Sequence, residues 1–278
     1  MTDHKVPIAG VIGNPIAHSR SPHLHGHWLR TYGIDGYYVP LHVQGQDLAE
    51  VFRALPKLGF KGVNVTLPHK ERALELADRV SDRAALIGAA NTITFQPDGT
   101  IHADNTDGYG FIENLRAGAP GWSPRTGPIV VLGAGGAARG VLSALLEAGA
   151  PEIRLANRTR VKAESLRHDF GPRVTVVDWH RVSDVLEDAT TLVNTTSLGM
   201  EGQAELSISI DALPRDAVVT DIVYRPLITK LLGTAMARGN PIVDGLGMLL
   251  HQAAPGFERW FGLRPEITPE LRAAALAE

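Results

Sequence analysis

The sequence predicts an α/β fold in two parts, an N-terminal α/β domain followed by a doubly wound parallel-sheet domain. Three observations carry this reading. Strand-like and helix-like segments alternate from the first residues onward, as βαβ units require. The loop Ala117-Gly118-Ala119-Pro120-Gly121-Trp122-Ser123-Pro124 interrupts that alternation, and the pattern then restarts. Beyond it, a buried strand runs through a glycine-rich turn into a helix at Val131-Leu132-Gly133-Ala134-Gly135-Gly136-Ala137-Ala138.

In chain order, Val6–Ile12 reads as a buried strand, and Ser21-Pro22 opens a helix to about Tyr32, with Ser21 as N-cap and Pro22 at the first helical position. Tyr37–Val43 is a second strand. Gln46–Leu58 is a helix whose apolar face is Leu48, Val51, Phe52 and Leu55. Gly62–Thr66 is a third strand, and Pro68 opens a helix carrying Ala73, Leu74 and Ala77. Ala90–Phe95 and Thr100–Ala103 flank the hairpin signal Pro97-Asp98-Gly99. After the loop come strands at Pro128–Leu132, Glu152–Ala156, Val174–Val177, Thr191–Asn194, Val218–Ile222 and Pro241–Asp244. Helices are expected at Ala137–Ala148, Arg160–Phe170, Val182–Glu187 and Met248 to about Trp260, with Pro255 inside the last.

With 278 residues the chain fits two ordinary domains. The expected division is a first domain over 1–106, completed by the C-terminal 245–278, and a second over 107–244. Lys and Arg number 27 against 30 Asp and Glu, a net charge of −3 that lacks the basic excess of a nucleic-acid binder. Zero cysteines exclude disulfides, thiolate metal sites and cysteine catalysis. The start, Met1–Lys5, leads into an apolar stretch broken by Pro7, Asn14 and Pro15, unlike a secretory leader, and no apolar run spans a bilayer. A cytoplasmic protein with no membrane partner is expected.

The glycine turn has the Gly-x-Gly-x-x-Ala form in a strand–turn–helix context. Gly133 permits the tight turn, Gly135 lets backbone approach a pyrophosphate, and Ala138 allows close packing of helix on strand. A dinucleotide is the expected ligand. The next strand ends just before Asn157, 24 residues after Gly133, where an NAD enzyme carries an acid for the adenosine ribose. Here the segment is Asn157-Arg158-Thr159-Arg160. Two guanidinium groups in place of the acid suit a 2′-phosphate, so NADP is the expected cofactor. The other reading is a solvated basic helix start with Thr159 as its cap.

In the first domain, Asn64-Val65-Thr66-Leu67-Pro68-His69-Lys70-Glu71 takes a strand into a helix with Lys70 in the first turn. The positive end of the helix dipole disfavours the ammonium form, which suits a lysine that gives and takes a proton. A snorkelling surface lysine is the alternative. Asp104-Asn105-Thr106-Asp107-Gly108 offers a carboxylate partner or, equally, a capped turn. His18, His23, His25 and His27 raise the question of a metal. Only His23 and His27 share a helical face, no Glu completes a zinc motif, and the cluster is read as a solvated face, with no metal expected.

Taken together, these segments resemble the shikimate dehydrogenase family over nearly the whole chain. The blocks are Gly13–Pro22, Asn64–Glu71, Asn105–Gly108, Gly133–Ala137, Asn157–Thr159, Asn194–Met200, Tyr224–Pro226 and Asp244–Leu249, with Gln252 beyond. The resemblance implies a substrate domain followed by a Rossmann NADP-binding domain, and NADPH-dependent reduction of 3-dehydroshikimate to shikimate, by a monomer or homodimer. It implies that Ser19 and Ser21, helped by Tyr224, bind the substrate carboxylate. Asn64, Thr66, Asn91, Asp107 and Gln252 would hold the ring hydroxyls and reacting carbonyl, and Lys70 with Asp107 would form the catalytic pair. The cofactor would lie on Gly133, Ala134, Gly135, Gly136, Ala137, Asn157, Arg158, Thr159, Arg160, Thr195, Thr196, Ser197, Gly245 and Met248. His69, where the family often carries an aromatic, is expected to tune Lys70. The alternatives are a quinate/shikimate dehydrogenase of wider range, a non-catalytic NADP-binding sensor, and a His-cluster metallohydrolase.

Overall fold

The computed structural model describes residues 6–276, so Met1–Lys5, read above for a targeting signal, lies outside it. The chain separates into two compact units, residues 1–106 with 250–278 and residues 107–249.

The first unit holds β1 (Ile8–Gly13), α1 (Ser21–Thr31), β2 (Tyr37–His42), α2 (Leu48–Ala54), β3 (Phe60–Val65), α3 (Lys70–Glu75), β4 (Arg79–Val80), α4 (Asp82–Ile87), β5 (Thr92–Phe95) and β6 (Ile101–Asp104). Its sheet runs β2-β1-β3-β5-β6-β4. β1 is parallel to both β2 and β3, whereas β5 is antiparallel to β3 and to β6. The sheet is therefore mixed: the Pro97-Asp98-Gly99 turn folds β6 straight back on β5 as a hairpin, where a parallel partner would need a crossover. The expected helix over 46–58 is broken into a 3₁₀ turn at Gly45–Asp47, α2, and a second 3₁₀ turn at Leu55–Leu58. Pro56 has no N–H to extend α2.

Two further boundaries differ from expectation. Ser21 is the first helical residue of α1, not its cap; Arg20 holds the cap position, and Ser19 Oγ accepts the Ser21 N–H at 3.3 Å. α3 starts at Lys70 with His69 at its cap, two residues after Pro68.

The second unit contains α5 (Asp107–Gly118), β7 (Ile129–Leu132), α6 (Gly136–Glu147), β8 (Ile153–Ala156), α7 (Arg160–Phe170), β9 (Val174–Val177), β10 (Thr191–Asn194), β11 (Val218–Asp221), α8 (Lys230–Arg238) and β12 (Ile242–Val243). All strands are parallel in the order β12-β11-β10-β7-β8-β9, the doubly wound arrangement whose order reverses between β7 and β10. Alternation along β7 divides the core. Ile129 and Val131 pack with Phe111, Leu115, Leu142 and Leu145 on one face, while Val130 and Leu132 pack with Leu192, Val219 and Leu232 on the other. The helix expected at Val182–Glu187 is a 3₁₀ segment, Trp179–Val185.

α9 (Leu246–Phe261) runs through Pro255, and α10 (Pro269–Leu276) follows. The unit boundary falls inside α9, after Leu249, five residues beyond the expected 244. Packing explains the offset. Asn114 of α5 donates to the Asp244 carbonyl at 2.7 Å, Gly247 sits directly against the Asn114 side chain, and Met248 packs on the core of this unit. Among the described residues no helix is long and apolar enough to cross a membrane.

Candidate active site

In the first unit, a continuous polar network ties together most of the residues expected to hold a hydroxylated ligand. Asn64, on β3, donates to the Asn91 carbonyl at 3.1 Å and to Thr92 Oγ1 at 3.4 Å. Thr92 Oγ1 donates to Asn91 Oδ1 at 2.8 Å, and the same oxygen accepts the Thr106 N–H at 2.9 Å. Thr106 Oγ1 donates to the Gln252 carbonyl at 2.8 Å, and Asn91 Nδ2 donates to Gln252 Oε1 at 3.3 Å. Gln252 is thus aimed through Asn91 and Thr106 from a helix that continues past Pro255. Asn64, Asn91, Thr92 and Thr106 are all buried, where satisfied amides and hydroxyls hold fixed directions.

Lys70 is half-buried at the first position of α3, and its carbonyl accepts the Ala90 N–H at 2.9 Å, next to Asn91. The loop before it is set by Thr66, whose N–H donates to the Ile12 carbonyl at 2.9 Å and whose carbonyl accepts His69 N–H at 3.0 Å. His69 is buried with Nε2 2.8 Å from the Val43 carbonyl. A carbonyl only accepts, so Nε2 carries the proton and the ring clamps the start of α3 to the end of β2. This bond to Val43 accounts for a polar ring at that position.

The sequence signals missed two features here. Tyr38 donates to Asn64 Oδ1 at 2.7 Å. Asp104 joins Arg83, Arg259 and Ser81 on one carboxylate, tying β6 to α4 and α9. Burial works to raise that carboxyl, but the two guanidinium groups and Ser81 hold it far below the usual range. Nothing in the local sequence marks these contacts, since the partners are distant in the chain.

The His cluster is corrected in one respect. His25 is fully buried, not solvated, and stacks on Tyr38 with ring centroids 3.9 Å apart. A residue at i+2 from His23 on α1 faces the opposite side, which here is the core. Among the described residues no three His, Asp or Glu side chains converge to hold a metal.

In the second unit, Gly133 has φ +104°, and a Cβ there would meet Thr195 Oγ1 at 2.7 Å and Thr196 Cγ2 at 2.9 Å. The turn after β7 therefore touches the loop after β10, at the point where strand order reverses. A Cβ on Gly135 or Gly136 would meet nothing within 4 Å, so the outer face of the turn is open. Gly135 caps α6 without any side-chain hydrogen bond, and α6 has no acid in its first turn. Free N–H groups, an open face and the positive end of a twelve-residue helix fit a dinucleotide's phosphates. Ala134 and Ala137 complete that turn.

Asn157 Oδ1 accepts the Ala134 N–H at 3.2 Å, and Asn157 Nδ2 donates to the Thr159 carbonyl at 2.8 Å. Thr159 occupies the α7 cap position but makes no side-chain cap bond. Arg160 pairs with Asp178 and Glu164. The expected pair of free guanidinium groups is thereby reduced: Arg160 is engaged, and Arg158 is exposed.

Thr195, Thr196 and Ser197 line a cavity of about 540 Å³ with Met200, Ile222 and Tyr224, which brings Tyr224 beside residues expected at the cofactor. Its wall is anchored by buried Asp221, which accepts from Asn194 at 3.0 Å, the Val223 N–H at 3.0 Å and Thr229 at 2.8 Å. Burial pushes the Asp221 carboxyl up despite these donors. Gly245 lies against the Ile222 carbonyl, a close approach that a Cβ would prevent. Asp107 opens α5 half-buried, and Gly108 beside it lets the Gly140 backbone of α6 come close.

A substrate-type α/β unit joined to a doubly wound nucleotide unit defines a dinucleotide-dependent oxidoreductase. The chain matches the family described as "Shikimate dehydrogenase substrate binding domain" over residues 11–93. It matches "Shikimate / quinate 5-dehydrogenase" over 123–201 and "Shikimate 5'-dehydrogenase C-terminal domain" over 245–276. It is 86% identical over 278 residues, all of both chains, to a "Shikimate dehydrogenase (NADP(+))" of Dinoroseobacter shibae. Among solved structures it is similar to a quinate dehydrogenase from Corynebacterium glutamicum in complex with NAD, with 32% identity, TM-score 0.90, and 98% and 99% of the two chains covered. It is also similar to a shikimate 5-dehydrogenase from Thermus thermophilus in complex with NADP(H) and shikimate, with 39% identity, TM-score 0.84 and coverage of 97% and 98%. The chain belongs to the shikimate dehydrogenase family.

Proposed function

We propose that this protein catalyses the reversible, NADPH-dependent reduction of 3-dehydroshikimate to shikimate, a step of aromatic amino acid biosynthesis, in the cytoplasm and as a monomer or homodimer. The observation that carries the reading is the buried network from Asn64 through Thr92, Asn91 and Thr106 to Gln252, with Lys70 bonded through its backbone to the residue before Asn91. Such a network presets directional partners for a ring bearing several hydroxyls.

When bound, NADPH supplies the hydride. The Lys70 ammonium donates a proton to the carbonyl oxygen as that oxygen gains charge, and the neutral amine takes the proton back in the oxidation direction. Asp107 orients the amine. Ser19 and Ser21, at the start of α1, donate to the substrate carboxylate with help from Tyr224, and Asn64, Thr66, Asn91 and Gln252 hold the ring. The open face from Gly133 to Ala137 would hold the cofactor's phosphates and Arg158 its 2′-phosphate, and Thr195, Thr196, Ser197, Gly245 and Met248 would complete the cofactor site.

The test is spectrophotometric: NADPH formation from shikimate and NADP, with quinate and NAD run in parallel. The likeness to the quinate dehydrogenase supports a second reading, turnover of quinate with NAD. Higher kcat/KM for that pair would replace the first reading.

A further inference from the structure

The Asn91 carbonyl fixes the polarity of the whole network around Asn64. Because that carbonyl can only accept, the atom of Asn64 facing it at 3.1 Å must be the amide nitrogen. The amide's second hydrogen goes to Thr92. The opposite atom, Oδ1, can only accept, so Tyr38, 2.7 Å away, must be the donor. Having spent its single proton on Asn64, the Tyr38 oxygen is left only as an acceptor. Tyr38 therefore stands directly behind a residue read as a ring-hydroxyl ligand.

The ring that carries this hydroxyl is held from behind. His25 stacks on it at 3.9 Å with 2° between the planes, and Trp28, Phe257 and Trp260 pack around His25. His25 has no exposed surface, and neither ring nitrogen has a hydrogen-bond partner, so the imidazole serves as a flat apolar backing. Tyr38 is itself only 8% exposed. The hydroxyl cannot swing away from Asn64 without breaking that stack.

We propose that Tyr38 is a positioning residue for the substrate site, locking Asn64 so that it meets a substrate hydroxyl only as an acceptor, through the second lone pair of Oδ1. With both amide hydrogens committed, Asn64 has none to donate. A ligand group at this position must therefore be a hydroxyl donor. The inference rests on the reading of Asn64 as a substrate ligand.

The variant Tyr38→Phe keeps the stack and removes the hydroxyl. The expected result is a rise of about tenfold or more in KM for shikimate, with kcat changed by less than about threefold and KM for NADP within about twofold. In an Asn64→Ala background the same substitution should add much less than it does alone, because Tyr38 acts through Asn64. A KM for shikimate within about twofold of wild type overturns the inference. So does an equal loss in both KM values, or full additivity in the double variant. Thermal unfolding of each variant separates these outcomes from misfolding, and calorimetric shikimate binding gives the same comparison independently of turnover. Wild-type protein that neither binds nor oxidises shikimate would overturn the functional reading and this inference together. Wild-type turnover with an unaltered Tyr38→Phe enzyme removes the inference alone.

Discussion

The side-chain carbonyl of Asn157 accepts the N–H of Ala134 at 3.2 Å, fastening the end of β8 to the glycine turn after β7. Its amide meanwhile holds the Thr159 carbonyl at 2.8 Å, so Arg158 is displayed on a short bridge attached at both ends. Arg160, two residues on, is engaged by Asp178 and Glu164. The two arginines should therefore contribute unequally. Arg158→Ala is expected to lower kcat/KM for NADP by about tenfold or more and leave that for NAD nearly unchanged. Arg160→Ala should cost clearly less, because its charge is already compensated. Equal effects of the two substitutions on cofactor preference would contradict this assignment.

Lys70 carries the proton in the proposed reaction, and it belongs to a different unit from the glycine turn. Lys70→Ala should reduce turnover by about 10²- to 10⁴-fold while NADPH affinity, followed by fluorescence titration, stays close to wild type. A non-catalytic NADP sensor would show neither change. Retained turnover would remove Lys70 from its role.

The carboxylate of Asp104 is the point at which β6, α4 and α9 meet. Asp104→Asn leaves Arg83 and Arg259 facing a neutral amide and is expected to lower stability by about 2–4 kcal/mol, measured by urea unfolding. Because its folded carboxyl ionises well below the unfolded one, its contribution is present above the ordinary carboxylate range, about pH 4, and is lost as pH falls below it. The substituted protein should show a flatter stability profile below that pH.

His25 gives a second acid-sensitive element with a higher window. Burial pushes its pKa from 6.5 down to about 3, against a weaker upward pull from the adjacent Asn64 amide, which forms no hydrogen bond with the ring. Between those values the unfolded chain binds a proton that the folded chain does not. Stability should therefore fall as pH drops below 6.5, by about 1.4 kcal/mol per pH unit from this one group. His25→Phe keeps the stacking surface and removes two unpartnered nitrogens. It should be neutral or stabilising near pH 7 and should lose this slope between about pH 6 and 4. An unchanged slope in urea unfolding at those pH values would show that another group titrates there.

What the amino-acid sequence determined by itself is local and periodic. The strands from Ile129 to Val177 and the turn from Gly133 to Ala138 are legible because a short apolar run, a positive-φ glycine and an uncapped helix start depend on residues a few positions apart. The basic segment at Asn157–Arg160 is legible for the same reason, though its number of available guanidinium groups is not, since Asp178 is the partner that occupies Arg160. The short 3₁₀ pieces around α2 escape periodicity because a turn of three residues carries too little pattern to separate it from a helix.

Only the tertiary structure decided which polar groups meet. Tyr38 reaches Asn64 across 26 positions, Arg259 reaches Asp104 across 155, and Asn91 reaches Gln252 across 161. Each of these bonds gains its direction and strength from burial, which strips away water and leaves one partner per donor. Burial at such separations is a property of the folded core, and so the sequence could name Asn64, Asn91 and Gln252 by resemblance but not the tyrosine, threonine and aspartate that hold them in place.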